Sequence, residues 1–336
     1  MTQTLQILSA GPGVTVQDSG RFGYLGQGLS RGGASDVQAL HEGAALLRQP
    51  VGAALEMAGF GGRFSSDTPL RIALTGAPMR ATLDGAPLIW NASHLMPAGS
   101  VLDIGGATQG CYGYLTIGGG LDLPVVLGAQ STHLVAGIGA PLGAGDQLPI
   151  GADHGDTVGH CLDVTPRWGG GVLRILPSLQ TEVFPKEQRD RFVSSRFTRD
   201  TRGNRMGIRL VPEGDGFGLS IGGSILSEII VPGDIQIPGD GAPYILMSEC
   251  QTTGGYPRIG TVIPADMPRV AQTAAGAELR FVFVTRQEAL AAEEGYRKQI
   301  AELPRKTRPL VRDPADIADL LSYTLISGVI TGEEEP

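Results

Sequence analysis

Lysine is almost missing from this chain: Lys186, Lys298 and Lys306 are the only three among 26 Lys+Arg residues. None follows a methionine or lies in a glycine-rich motif, which leaves no covalent biotin attachment site and no Schiff-base lysine. The pattern GxxxxGK[ST] does not occur, so any nucleotide is held by something other than a Walker-type loop. Cysteine is equally scarce. Cys111, Cys161 and Cys250 are far apart and never in CxxC spacing, which suits a reducing compartment and gives neither a zinc site nor a disulfide framework. No apolar run approaches the roughly 18 residues of a membrane helix. The opening MTQTLQILSAGPG has no basic n-region and no long apolar core, so no signal peptide is read there and a cytoplasmic protein is expected. Positive charge is in deficit: the net charge of -8 argues against a nucleic-acid partner. Charged residues make up only 18% against 41% hydrophobic, the balance of a packed chain rather than a disordered one.

Glycine and proline, by contrast, are abundant, at 51 and 23. They punctuate short apolar runs at Leu70–Leu74, Leu88–Trp90, Leu115–Ile117, Val172–Leu176, Ile235–Ile237, Tyr244–Met247 and Leu279–Val284. Short strands with turn residues between them indicate a mainly β protein, barrel or sandwich, rather than βαβ units. A few helices interrupt them. Ser35 is placed to cap one with an apolar face of Val37, Leu40, Ala44 and Leu47, ending before Pro50. Lys186–Val193, Gln287–Leu303 and Asp316–Leu325 read as further helices, with an acidic end, GEEEP, after the last. The polar, glycine-rich stretch 151–170 reads as a linker between a β-rich half, 1–150, and a second, 171–285, with a helical tail over 286–336. Arg21-Phe22-Gly23-Tyr24 is echoed by Arg205-Met206-Gly207-Ile208, each upstream of a glutamate (Glu56 and Glu228), which points to two related β-barrel-type halves.

Most candidate motifs fall to a plainer reading. Gly28-Leu29-Ser30-Arg31-Gly32 fits GxSxG, but a nucleophile elbow belongs on a parallel α/β sheet, and glycine is common enough here to make the pattern cheap. His154, Asp156, His160 and Cys161 match no tight metal-site spacing, so no metal is expected. His41, His94 and His133 stand alone, and Gly137-Ile138-Gly139 lacks the third glycine of a dinucleotide fingerprint. The polar tools collect instead in four glycine-rich stretches: Val16–Asp36, Ser131–Gly139, Asn204–Arg209 and CQTTGGYPRIGTVIPADMPRVAQ from Cys250 to Gln272. In the last, Gln251, Thr252, Thr253, Tyr256 and Arg258 crowd around Gly254-Gly255. Gly permits close backbone approach, and a Gln amide with Thr hydroxyls can bracket a planar N–C=O group with donors and acceptors.

QTTGGYPRIGTVIPADMPRVAQ, with NRMG, Ser227-Glu228 and TVQDSGRFGY, resembles the family of the C-type subunit of 5-oxoprolinase, also called allophanate hydrolase subunit 2 or biotin-dependent carboxyltransferase-like. The similarity runs from about residue 5 to residue 285, in the family's order. Arg258 stands where lysine is also common, and the tail beyond residue 286 lies outside the shared core. The resemblance implies a cyclophilin-like β-barrel architecture and a partner, the B-type subunit, whose related barrel shares a cleft with this chain. It implies one of three roles: an ATP-dependent 5-oxoprolinase component making glutamate from 5-oxoproline with the A-type and B-type subunits, a carboxyltransferase component moving CO2 from carboxybiotin to urea or a related amide, or a non-catalytic regulatory partner. ATP is expected at the site shared with the B-type subunit. The catalytic candidates are Glu228, Arg205, Gln251 and Asp266. The substrate-binding candidates are Asp18, Arg21, Tyr24, Asn204, Thr252, Thr253, Gly254, Gly255, Tyr256 and Arg258. The arginines are expected to grip phosphate or carboxylate by two parallel bonds, and the Gly254-Gly255 backbone N–H groups to stabilise a developing oxyanion.

Overall fold

The computed structural model describes residues 3–219 and 225–311. The expected helix at Asp316–Leu325 and the acidic end lie outside the described residues. The protein is mainly β, as the punctuated apolar runs require. In the first half, a six-stranded sheet runs in the order Gln147–Pro149, Thr4–Ala10, Phe60–Ser65, Val101–Ala107, Met79–Leu83, Ala86–Pro87. A seven-stranded sheet runs Thr15–Gln17, Ala54–Ala58, Tyr112–Ile117, Leu70–Gly76, Ala92–Met96, His160–Cys161, Arg308–Pro309. Residues of both sheets, among them Ile7, Phe64 and Ile104 from one and Leu55, Leu74 and Leu115 from the other, share one core. The second half is a closed seven-stranded barrel. Its strands follow in space as Gly171–Leu176, Arg258–Val262, Asp234–Gln236, Tyr244–Leu246, Gly207–Pro212, Phe197–Gly203 and Glu278–Phe283. A parallel pairing of the last strand with the first, Gly171 opposite Leu279, closes the ring and leaves no free edge.

Among the described residues four α-helices dress this frame: α1, Val37–Leu47; α2, Lys186–Ser194; α3, Met267–Gln272; and α4, Arg286–Lys306. Helix α1 buries Leu40, Ala44 and Leu47, as its 3.6-residue period demands. Helix α2 anchors the barrel through Phe192, stacked on Phe281 at 4.8 Å between centroids. Helix α4 opens with a capping box between Thr285 and Glu288. Two local expectations are corrected. Leu88–Trp90 is not a strand: the Leu88 N–H makes one further bond, to the Ala81 carbonyl at 2.9 Å, and Asn91 then takes a φ of 55° that turns the chain. Ser35 does not cap α1. Asp36 is the N-cap residue, and the Ser35 hydroxyl donates to Glu56 instead.

The segment 151–170 carries the short strand His160–Cys161 and is tied down at both ends. Asp153 accepts from Arg71 at 2.8 Å, and Arg167 donates to Asp36 at 2.8 Å and to both oxygens of Glu42 at 2.8 and 2.9 Å. Between the halves lies a buried polar seam. Arg205 of the barrel donates through Nε to Glu249 at 2.6 Å, through Nη1 to Glu56 and Ser35, and through Nη2 to the Gly33 carbonyl at 2.6 Å. Gly33 reaches that position at φ 75°, where a Cβ would lie 2.6 Å from the Gly20 nitrogen, so only glycine fits. Glu56 is further satisfied by the Ser35 N–H at 2.7 Å and the Tyr114 hydroxyl at 2.6 Å. Burial would push the Arg205 pKa down, but Glu56 and Glu249 outweigh it and hold the guanidinium above its ordinary value.

Removing Arg205 leaves two carboxylates buried without their cation, and breaking such a pair costs about 3–5 kcal/mol. Arg205→Met is therefore expected to lose stability on that scale in chemical denaturation. Arg205→Met combined with Glu56→Gln and Glu249→Gln is expected to recover a large part of it. A single mutant as stable as the native chain would mean that the seam is solvated.

Candidate functional site

After the barrel strand Tyr244–Leu246, the chain crosses the mouth of the barrel as Cys250–Tyr256 and pairs as a two-residue ribbon, Thr253–Gly254 against Glu228–Ile229. The Ile230 N–H donates to the Thr252 carbonyl at 3.1 Å and pins the ribbon down. Gly254 sits close against side chains of the fold. A Cβ at that position would sit 2.6 Å from Gln236 Nε2 and 3.0 Å from Ile230. The close approach read as access for a ligand is thus taken up by side chains of the fold.

Cys250 and Gln251 separate two concavities. One is a cleft of about 780 Å³, lined among others by Asn204, Gln236, Asp240, Tyr244, Gln251 and Tyr256. The other is a pocket of about 330 Å³ whose walls include Ser30, His133, Ala136, Gln251, Thr252 and Thr253. Gln251 is exposed, so its amide is not consumed by the fold. The structure thus brings Gln251, Thr252 and Thr253 together with the glycine-rich N-terminal stretch, through Gly28, Leu29 and Ser30. Asn204 and Tyr256 join them from the cleft side, and Asn204 also accepts from the Met206 N–H at 2.8 Å to shape its own turn.

The other candidates lie in the framework, and each for a visible reason. Arg205 is saturated by Glu56 and Glu249. Arg258 is buried, with Nη2 on Glu228 at 2.5 Å and Nη1 on Asp234 at 3.2 Å and on the Ile229 carbonyl at 2.9 Å. Glu228 also accepts from Gln180 at 2.9 Å. Asp266 is locked by Arg174, which reaches it at 2.5 and 3.0 Å, and it lines a separate groove beside Arg269 and Tyr296. Asp18 closes its own turn, accepting from Gly20 at 2.8 Å and Gln130 at 2.7 Å. Arg21 is buried on Ser131 and the Val126 carbonyl. Tyr24 starts a short 3-10 turn and lines neither concavity, and Gly255 packs beside Ser227. A phosphate-gripping arginine pair and a Glu228/Asp266 acid–base pair are therefore not what this geometry offers.

Sequence reasoning set Ser30 and His133 aside, yet the fold joins them. Ser30 Oγ lies 3.0 Å from His133 Nε2, and His133 Nδ1 lies 3.9 Å from a Glu249 oxygen. The set has the outline of a serine–histidine–acid triad, but the protons are on the wrong atoms. The Ala136 N–H donates to His133 Nδ1 at 3.2 Å, so the neutral ring carries its proton on Nε2 and donates to Ser30. A ring that gives a hydrogen bond to serine cannot take the serine's proton. The Ser30 hydroxyl is left free to donate into the pocket, which makes it a binding group. Burial, opposed by Glu249, lowers the His133 pKa below its ordinary 6.5. The signals that could have found this pair were GLSRG and THLVAG, two short stretches over 100 residues apart.

The family description "Carboxyltransferase domain, subdomain A and B" matches residues 27–283. The chain belongs to this family. It is 36% identical over 305 residues to the C subunit of 5-oxoprolinase from Escherichia coli K12, covering 89% of this chain and 97% of that protein. It is 27% identical over 307 residues to urea amidolyase of Saccharomyces cerevisiae, covering 83% of this chain but 16% of that protein. The fold is shared with the crystal structure of Kluyveromyces lactis urea carboxylase, at a TM-score of 0.79 and 23% identity over 94% of this chain and 31% of that one. The crystal structure of TTHA0988 aligns with a TM-score of 0.76 and 30% identity, over 84% of this chain and 56% of that one. Among the described residues no helix is long and apolar enough to cross a membrane.

Gln251→Ala is expected to reduce turnover of the assembled enzyme by about tenfold or more, the 1–3 kcal/mol of a lost polar anchor, with an unchanged melt because the side chain is exposed. Native turnover in that mutant would remove Gln251 from the site. His133 is neutral in the fold, so the unfolded chain takes up its proton first on acidification. Its stabilisation is complete above its ordinary pKa of 6.5 and is lost as the pH falls below it. Stability measured from about pH 7 to about pH 5 is expected to decline less steeply in His133→Gln than in the native protein. An equal slope would mean that the ring is solvated.

Proposed function

We propose that this chain is the C-type component of an ATP-dependent 5-oxoprolinase, opening 5-oxoproline to glutamate together with homologues of the A-type and B-type subunits in the cytoplasm. The observation that carries this reading is the match over 97% of the length of the E. coli 5-oxoprolinase C subunit at 36% identity. The chemistry of the pocket supports it. A lactam presents a planar N–C=O edge. The Gln251 amide can donate to its oxygen and accept from its N–H, the Thr252 and Thr253 hydroxyls can do either, and Ser30 is turned by His133 into a donor. A neutral, donor-rich wall of this kind orients an amide and stabilises charge that develops on its oxygen.

The residues of the cleft do not by themselves fit a triphosphate. Arg202 is paired with Asp200 at 2.8 Å, Asp240 of the cleft wall is paired with Arg209 at 3.0 Å, and among the described residues no lysine lines either concavity. The cations that ATP requires are therefore supplied from the partner's side of a shared cleft, and no step is assigned to ATP on this chain. In the carboxyltransferase alternative, the ureido ring of carboxybiotin and the amide of urea would present the same planar edge to Gln251. The likeness to urea amidolyase at 27% identity keeps that alternative second.

The purified chain alone is expected to show no oxoproline-dependent ATP hydrolysis, and the mixture with its A-type and B-type partners is expected to turn over. Full activity of the isolated chain would overturn the heteromeric reading. Carboxybiotin-dependent carboxylation of urea, with oxoproline inert, would favour the carboxyltransferase. A complex inert towards all of these would leave the regulatory role.

A further inference from the structure

Ser30 and its neighbour Arg31 face different concavities. Arg31 lines a third one, of about 330 Å³, between the start of α1, the barrel mouth at Met247-Ser248 and Tyr296 of α4. Its other walls are mostly apolar, with Val37, Val262, Pro264 and Met267 among them, and no carboxylate lines it among the described residues. Arg31 differs from every arginine of the seam. Among the described residues none of its nitrogens donates to a protein acceptor, and its Nε is fully buried without a partner. Its only close partner of note is the exposed Phe22 ring, at 5.6 Å.

A second polar group on the same wall is orphaned. Ser248 is 4% exposed, and its Oγ is buried with no hydrogen-bond partner. The start of α1 adds a third element. The helix has no side-chain cap, and the carboxylate of its N-cap Asp36 is turned away to Arg167 and Gln272. The groups around Arg31 carry no balancing anion for it. Glu56 is engaged by Arg205, Ser35 and Tyr114, and His41 is held below its ordinary pKa by burial. Burial, and then repulsion from Arg205, press the Arg31 pKa down, the direction that a bound anion would reverse. An unpaired buried Nε recurs in Arg189, Arg199, Arg209 and Arg258; what sets Arg31 apart is that the rest of its fork also lacks a protein acceptor among the described residues, with an unpaired buried hydroxyl on the same pocket wall, and these are the groups a ligand would satisfy.

We propose that this pocket is a binding site for a small carboxylic acid with an apolar body, its carboxylate on the Arg31 fork and Ser248 and its body against the Val37, Val262 and Met267 wall. Arginine matches a planar carboxylate with two parallel bonds, and one cation in an apolar pocket suits a monoanion better than a phosphate. At about 330 Å³ the pocket stands at the low end of small-molecule sites, the size of a single ring and its substituent. The site goes beyond the lactam reading: that reading depends on Gln251, this one on Arg31, and either can fail alone.

The test is calorimetric titration of the full chain with cyclopentanecarboxylate, with the neutral alcohol cyclopentanemethanol and with inorganic phosphate. Cyclopentanecarboxylate is expected to bind and the other two are not. Arg31→Met is expected to weaken binding by at least about tenfold, Arg31→Lys by less, and Ser248→Ala by a few-fold. Without ligand, Arg31→Met is expected to melt at or above the native temperature, because no hydrogen bond or ion pair of the guanidinium is lost and the Phe22 contact is at an exposed ring. Absence of carboxylate binding, equal binding by the mutant, equal binding of phosphate or cyclopentanemethanol, or a destabilised ligand-free mutant would each overturn the proposal. Loss of oxoprolinase turnover in Gln251→Ala with carboxylate binding intact would separate the two sites.

Discussion

Arg205 is a charge that the fold can bury only because Glu56 from the first half and Glu249 from the second meet it in the same place, and the halves are held in register by that requirement. An unpaired guanidinium or carboxylate in such a seam is far costlier than an exposed one, so the geometry has little slack. The consequences spread outward. Glu56 draws in Tyr114 and Ser35, and Ser35 is thereby diverted from capping α1. Glu249 receives the Val135 N–H at 3.3 Å and lies opposite His133, so the same network shapes the back wall of the Ser30 pocket. Burial and the nearby Glu56 press the Tyr112 hydroxyl up to about 12, which keeps it neutral beside the ion pairs.

The arginine-rich, lysine-poor composition acquires a meaning from this arrangement. Arg71, Arg167, Arg174, Arg205 and Arg258 each satisfy carboxylates with planar forks. A lysine offers one point charge and could not serve two carboxylates and a carbonyl at once, as Arg205 does. With these cations committed to the framework, the pocket beside Gln251 presents neutral amides and hydroxyls, and Arg31 stands apart as a guanidinium without an internal acceptor among the described residues. The two proposed sites therefore rest on different walls and different residues.

Much of the fold was legible before any coordinate. Apolar runs between glycines and prolines became strands at Leu70–Gly76, Tyr112–Ile117 and Glu278–Phe283, and the 3.6-residue period of Val37, Leu40, Ala44 and Leu47 became α1. Leu88–Trp90 misled because apolar content does not reveal that the chain turns at Asn91. Within the site, Gln251, Thr252 and Thr253 were visible as a dense polar cluster beside glycines. The internal pairings of Arg205, Arg258, Glu228 and Asp266 were not legible, because a charged side chain looks the same in sequence whether its partner is a substrate or a carboxylate 149 residues away, as Glu56 is from Arg205.

By itself the sequence determined the mainly β class, the helices α1, α2 and α4, the family and the polar character of the Cys250–Tyr256 crossing, because these follow from local periodicity, turn chemistry and contiguous motifs. Only the tertiary structure decided which polar groups remain free to bind. That depends on pairings between residues far apart in the chain: Arg205 with Glu56, Arg258 with Glu228, and His133 with Ser30. Folding spends most hydrogen-bonding capacity on such pairs, and function is left with the few groups, Gln251, Ser30 and Arg31 among them, that burial and distance leave unmatched.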